Sequence, residues 1–351
     1  MAYKYKHFIP QNTAPKGAEK INVYDSSGEK VCSIPLGRLS HTNKTKQYSV
    51  GLVSDVHFAH VNTVLWTPHT KFDNALTYFE NNGCVFCCNS GDMTQTGFYM
   101  EGDADTLHTY QFEQYKQICD KHTIPVYELC GNHESYVKAI TNNTTELANY
   151  AGAEMYYSIV QGNDVYLFLS QPNATTPMTD EALQWLYETL ETNRNKRCFI
   201  FVHPYLDSGN VNSVYGNDVF SWWGTKTTAF KNLLKHYKNT ILFHGHSHFW
   251  FKDQEIDKSV NYTDKGGFRS VHIPSLTRPA YVVDGTRGGD DALSYGYVMD
   301  VYSDCIVLNG MDFINNECVP LGTFKIDTTL QTIAANTFTD STGAIITQYS
   351  G

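Results

Sequence analysis

From Tyr48 onward, short apolar runs alternate with longer stretches in which apolar residues recur every three or four positions. "YSVGLVSD", "CVFCCNSGD", "PVYELCGN", "DVYLFLSQ", "CFIFVHP" and "TILFHGH" are compact apolar runs ending in polar or turn residues, the pattern of buried strands. Between them, residues 71–82, 107–122, 179–193 and 225–238 carry helical periodicity. In the third of these, Thr179 is placed as the cap and Asp180 and Glu181 suit the positive end of the helix dipole. Leu183, Leu186, Tyr187 and Leu190 then form one apolar face that should cover a sheet. Such alternation predicts an α/β architecture. After about residue 268 the pattern turns to strands, "FRSVHIPSL", "SYGYVMDVY", "CIVLNGMDF" and "GTFKID", with no further long helix. Upstream, "INVYDSSGEKVCSIPLG" is two alternating apolar runs around a Ser-Ser-Gly turn, a hairpin signal. The chain therefore divides into a β-hairpin appendage over 1–48, a main domain over 49–328 and a Thr-, Ala- and Ser-rich tail over 329–351.

Composition narrows the function classes. At 351 residues the chain can fill a sizeable core, and a formal charge of −10 argues against a broad basic footprint for duplex nucleic acid. No stretch approaches the ~18 apolar residues of a membrane span, and "MAYKYKHFIPQN" has no apolar signal region, so a cytoplasmic protein is expected. Nine cysteines without regular spacing fit reduced thiols. In "GCVFCCNSGD", strand alternation would set Cys84 and Cys88 on one face and Cys87 on the other, so the three would not converge on a metal.

The candidate chemistry sits where the predicted strands end. Asp55 and His57 close the first run, Asp92 the second, and Asn132 and His133 the third; His203 and then His244, His246 and His248 close the last two. In open α/β sheets ligands bind at the carboxyl ends of the strands, so these positions can meet. Carboxylate, imidazole and amide oxygen without sulfur suit manganese, iron or zinc, and there are too many donors for one ion with an open position. Two ions bridged by a carboxylate would form a hydrolytic pair. Gly91, Gly131 and Gly245 are placed to let the backbone turn at the strand ends.

Asp55-Val-His57, Gly91-Asp92, Gly131-Asn132-His133-Glu134, His203 and Gly245-His246-Ser247-His248 resemble, in order and spacing, the motifs of the calcineurin-like metallophosphoesterase superfamily over residues 49–328. The resemblance implies a four-layer αββα sandwich. It implies that Asp55, His57, Asp92 and His248 hold one divalent ion, and that Asp92 bridges to a second held with Asn132, His203 and His246. Manganese is favoured, with iron or zinc as alternatives. It further implies hydrolysis of a small phosphate ester by in-line attack of a metal-bound hydroxide, with His133 beside the leaving group. In that chemistry the two cations offset the ester's anionic oxygens and lower the pKa of a bound water towards about 7.

Departures from the family pattern shape the substrate expectation. Gln95 stands where purple acid phosphatases place a tyrosine ligand. Gln95 and Thr96 replace the Asp-Arg pair of Ser/Thr protein phosphatases, and Cys130 replaces the arginine before their GNHE motif. The loss of phosphate-gripping arginines favours phosphodiesters or small phosphomonoesters over phosphoproteins, with a phosphodiester the leading expectation. Arg278, Tyr136 and His244 are the candidate substrate contacts, His244 being equally suited to support the metals, with Lys138 and Arg287 behind them. Trp222, Trp223, Phe249, Trp250 and Tyr281 could stack a base or sugar, core packing being the commoner use of aromatics. His7, His41, His69, His108, His122, His236 and His272 read as ordinary surface or core residues, and His60 as intermediate. Two alternatives stand: a nuclease of the same superfamily, which the acidic charge disfavours, and a structural component carrying a phosphoesterase domain. For the latter, residues 8–37 resemble leaders of phage-encoded metallophosphoesterases, which implies a virion or homo-oligomer contact through residues 1–48.

Overall fold

The apolar runs become two sheets packed face to face. The computed structural model describes residues 20–24, 30–35, 44–59, 67–95, 104–134, 154–172, 178–204, 206, 226–251, 261–264, 266–283 and 286–335. The first half of the chain carries β1 (Lys20–Tyr24), β2 (Lys30–Pro35), β3 (Tyr48–Val53), α1 (Pro68–Asn81), β4 (Cys84–Asn89), α2 (Ala104–Cys119), β5 (Val126–Glu128), β6 (Tyr156–Gln161) and β7 (Asp164–Leu169). Next come α3 (Asp180–Thr192), β8 (Arg197–Val202), α4 (Lys226–His236), β9 (Thr240–His244), β10 (Tyr262–Thr263), β11 (Ser270–His272) and the ribbon β12 (Ala280–Val283) with β13 (Thr286–Gly289). Strands β14 (Tyr295–Val301), β15 (Cys305–Asp312), β16 (Glu317–Cys318) and β17 (Phe324–Asp327) follow. One sheet runs β16-β15-β14-β3-β4-β5 with β17 also on β15; the other runs β10-β11-β9-β8-β7-β6. Strands β3, β4 and β5 are parallel to one another, as are β7, β8, β9 and β11.

Parallel strands covered on both faces must be apolar on both, which is why these runs lack polar alternation. In β8, Phe199 and Phe201 point between the sheets, where they meet Val50, Leu52, Tyr297 and Met299, while Cys198, Ile200 and Val202 face helices α3 and α4. Phe168, Phe201 and Phe243 stack across three neighbouring strands at 5.1 and 4.9 Å between ring centres. On the other outer face, Phe72, Ala75, Leu76 and Phe79 of α1 and Tyr115 and Ile118 of α2 cover β3 and β4. The result is the four-layer αββα sandwich that the resemblance implied. Thr179 caps α3 as its side chain accepts from the Ala182 N–H at 3.1 Å. Arg197 fastens the layers together, donating to both carboxylate oxygens of Asp164 and to Tyr302 O and Thr328 Oγ1 at 2.6–2.9 Å.

Two details depart from simple periodicity. A bulge in β4 sets Cys84 opposite Ser49 but Cys87 opposite Gly51, three steps against two. Cys84 and Cys87 therefore share the helix-facing side and Cys88 lies between the sheets, which corrects the expected parity; all three remain free, buried thiols. β6, an edge strand with Val160 exposed, and the β12–β13 ribbon were not legible as strands. β1 and β2 pair antiparallel as the hairpin signal predicted, with the intervening turn outside the described residues. The first part of the tail packs down, burying Ile333 against the α3–α4 side, and residues 336–351 lie outside the described set. Among the described residues no helix is long and apolar enough to cross a membrane.

Candidate metal centre

Both sheets aim the carboxyl ends of their parallel strands at one place. Past the end of β3 the ladder to β4 continues through the loops, with Asp55 N donating to Gly91 O, His57 N to Asp92 O and Phe58 N to Met93 O at 2.8–3.0 Å. In the opposite sheet Gly245 N donates to His203 O (3.2 Å), and that sheet joins the loop pair where His246 N donates to Asp55 Oδ2 (3.0 Å) and Ser90 Oγ donates to Val202 O (2.7 Å). Seven described non-glycine residues have positive φ, and five of them are Asp55, His57, Asp92, His246 and His248, at 52–69°. Left-handed backbone at such residues costs energy and persists only where the surroundings enforce it, commonly at functional sites. Of the three glycines expected at turns, Gly91 has φ +97°, whereas Gly131 and Gly245 serve close approach: a Cβ there would strike the carboxylate of Asp92 or of Asp55.

The potential ligand atoms form two groups that share Asp92. Asp55, His57, Asp92 and His248 make one and Asp92, His203 and His246 the other, each with all its atoms within 4.8 Å of one another. In the first, His57 Nε2 and His248 Nε2 approach to 3.0 Å, and Asp55 Oδ1 lies 3.1 Å from His248 Nε2. In the second, His203 Nε2 is 3.1 Å from Asp92 Oδ2, 3.0 Å from Asn132 Oδ1 and 3.3 Å from His246 Nδ1. All seven residues expected to ligate metal are thus gathered in one cluster.

These residues fit a pair of cations. Asp55 and Asp92 are almost wholly buried, and among the described residues every ion-pair partner of theirs is a histidine. Asp55 Oδ1 is buried with only the ring nitrogens of His248 (3.1 Å) and His57 (3.8 Å) beside it among its ion-pair contacts in the described residues. Uncompensated carboxylates at such depth are costly unless charge is supplied. His203 Nδ1 faces the Ser90 carbonyl at 2.8 Å; because a carbonyl only accepts, Nδ1 carries the hydrogen and Nε2 is left facing the cluster. Burial opposes protonation of His203, but the Asp92 carboxylate raises its pKa to about 9. The lone pair that would take that proton is the one a cation would use. Burial and neighbouring imidazoles push His57 well below its usual range, and burial with His203 lowers His246 to about 3. Burial disfavours the Asp55 anion, yet His248, His203 and His57 hold its pKa well below the carboxylate range.

Beside the ligands, His133 Nδ1 donates to the Gln95 carbonyl at 3.0 Å, and Nε2 turns towards the cluster, 3.8 Å from Asp92 Oδ2. The next residue, Glu134, is a positioning group that sequence reasoning quoted in the motif without assigning a task. Its buried carboxylate accepts from Asp92 N (3.1 Å), Gly131 N (2.8 Å), Thr94 N (2.9 Å) and Thr94 Oγ1 (3.1 Å), tying the β4 and β5 loops together. In Glu134→Gln an amide NH₂ must face backbone donors, which should cost about 1–3 kcal/mol of stability. The expected result is a lower melting temperature in EDTA together with weaker Mn²⁺ binding, and wild-type values for both would refute the role.

The proposed substrate contacts scatter. Arg278 is half exposed and pairs with Asp291 at 3.3 Å, at the end of a segment whose Ser275 and Thr277 hydroxyls donate to Asp55 O. His244 is buried on β9, with its pKa lowered to about 4 by burial, so it underlies the ligands instead of facing outward. Trp250 and Tyr281 pack at 4.8 Å just beyond His248, and Phe249 is core. Tyr136, Lys138, Trp222, Trp223 and His60 lie outside the described residues, as does the side chain of Arg287. Of the histidines read as ordinary, His69, His122 and His236 have local partners in Gln114, in Glu80 and Asp73, and in Ala334 O. His272 departs from that reading: it is buried and its Nε2 lies 2.8 Å from Ser247 Oγ, between two of the ligands.

Comparison with known proteins agrees with this geometry. The calcineurin-like phosphoesterase family profile matches residues 48–249. No curated protein sequence matches the chain. Among solved structures, a dimetal phosphatase from Danio rerio is similar in fold, with a TM-score of 0.55 at 13% identity, covering 81% of this chain and 100% of its own. The anchor of the inner membrane complex of Plasmodium aligns over 83% of this chain and 91% of its own, at 12% identity and a TM-score of 0.49. A matched profile over more than half of the sequence places the chain in the calcineurin-like phosphoesterase family, and with the two ligand groups sharing Asp92 it is a metal-dependent phosphoester hydrolase.

Proposed function

We propose that the chain hydrolyses a phosphodiester at this centre, using two divalent ions, with manganese the favoured metal. The observation that carries the reading is the pair of ligand groups sharing Asp92. Asp55, His57, Asp92 and His248 would hold one ion, and Asp92, Asn132, His203 and His246 the other. When bound, such ions offset the charge of the phosphoryl oxygens and make a water acidic enough to supply the nucleophile near neutral pH. Nitrogen and oxygen donors without thiolate suit manganese. The chain's own residues do the remainder. Glu134 and the left-handed turns fix the ligands in place, and His133, oriented through Gln95 O, offers Nε2 for a proton to the leaving oxygen.

The preference for a diester follows from charge. A diester presents one negative charge on its two non-bridging oxygens, a monoester close to two. At the two positions where relatives that dephosphorylate proteins carry arginine, Thr96 and Cys130 stand here, and the Cys130 thiol is buried in the core under α1 and α2. Arg278, the described cation among the expected substrate contacts, is paired with Asp291 at 3.3 Å.

The test is a screen of the purified chain with Mn²⁺ against bis-p-nitrophenyl phosphate, p-nitrophenyl phosphate, and single- and double-stranded DNA. Diester hydrolysis that exceeds monoester hydrolysis and is abolished by EDTA is expected. A monoester preference would overturn the substrate class, DNA cleavage would move the reading to a nuclease, and inertness towards all four would leave a structural role.

A further inference from the structure

We propose that His272 is a positioning residue for the metal centre, acting through Ser247 to hold the turn that presents His246 and His248. This rests on the reading of those two histidines as ligands. His246 and His248 both have left-handed backbone, at φ 69° and 62°, and Ser247 between them is buried. Two consecutive-but-one residues in that conformation need external restraint to keep their imidazoles aimed into the cluster. The backbone supplies part of it: His246 N donates to Asp55 Oδ2 at 3.0 Å, Ser247 N to Gly245 O at 2.9 Å, and Ala280 N to His248 O at 2.6 Å.

The Ser247 hydroxyl adds a side-chain restraint, 2.8 Å from His272 Nε2. His272 is a rigid platform for it. The ring lies on β11, in register with His244 of β9, and β11 is stitched on both sides, with His272 N donating to Asn261 O and Ile273 N to His244 O. His272 Nδ1 is buried without a hydrogen-bond partner, a cost that the fold accepts although an apolar residue would fill the site more cheaply. Burial holds the ring neutral, its pKa well below the usual imidazole range. Besides the contact to Ser247, the ring packs against His244 and Phe249 at 5.4 and 6.4 Å between ring centres, so Ser247→Ala isolates the hydrogen bond and an apolar replacement at 272 removes it together with that packing. Residues that orient metal ligands from behind typically contribute 10–100-fold to metal affinity.

The experiment is calorimetric titration of the full chain with Mn²⁺ for the wild type, Ser247→Ala, His272→Leu, His272→Gln and the double variant Ser247→Ala/His272→Leu. The melting temperature of each in EDTA is measured alongside. Ser247→Ala and His272→Leu are each expected to weaken Mn²⁺ binding by about 10–100-fold. The double variant should be no weaker than the worse single one, since both remove the same contact. His272→Gln, whose amide reaches the Nε2 position, should keep near wild-type affinity. Wild-type affinity in Ser247→Ala, or losses that add in the double variant, would overturn the proposal. Should His272→Leu fail to fold, Ser247→Ala and His272→Gln decide the matter by themselves. A wild type that takes up no Mn²⁺ would instead overturn the ligand reading on which the proposal stands.

Discussion

Asp92→Asn is expected to lower phosphoester hydrolysis by roughly 10³-fold or more and to cut bound Mn²⁺ from two per chain to at most one. Asp92 is the residue common to both ligand groups, and His203, His57 and His133 all face its Oδ2 at 3.1–3.9 Å. Asparagine keeps the size and one oxygen but removes the charge, so each group loses an anion at once. Its Nδ2, a donor with no lone pair to offer, also cannot take the place of the second carboxylate oxygen as a metal ligand. Two assays check this together, the steady-state rate and elemental analysis of metal content. A variant that kept both ions and the wild-type rate would show that Asp92 is not the bridge.

His133→Asn carries the second large expected effect, and it should depend on the substrate. If Nε2 delivers a proton to the departing oxygen, the loss is expected to reach about 10²- to 10⁴-fold for alkyl diesters, whose alkoxide leaves poorly. For bis-p-nitrophenyl phosphate, whose phenolate leaves without help, the loss should be much smaller. Metal content should stay at the wild-type value, because His133 belongs to neither ligand group. An equal loss on both substrates would make His133 a general stabiliser of transition-state charge and not the acid.

Much of this was legible in the sequence for a simple reason. A buried parallel strand is an uninterrupted apolar run, so its end is conspicuous, and in this architecture the chemistry begins where the run stops. Asp55, Asp92, His203 and His246 could be named from that boundary. Legibility failed where geometry depends on a partner distant in the chain. The bulge that turns Cys84 and Cys87 to the same side exists because β4 gains a residue against β3, which alternation within β4 does not reveal. Glu134 reaches back to backbone groups near residue 92, and His272 touches a serine 25 positions earlier. Neither residue breaks a periodic pattern, so Glu134 stood in its motif without a task and His272 looked ordinary. β6 was missed because an edge strand with none of its six residues fully buried resembles a loop.

The five left-handed ligands have an evolutionary corollary. At Asp55, His57, Asp92, His246 and His248 glycine would relieve backbone strain, so each is a place where the polypeptide has forgone robustness to keep a functional group aimed. Selection for thermal endurance alone, with no demand for turnover, would drift towards glycine at those positions. It would yield a sturdier sandwich with a dead centre.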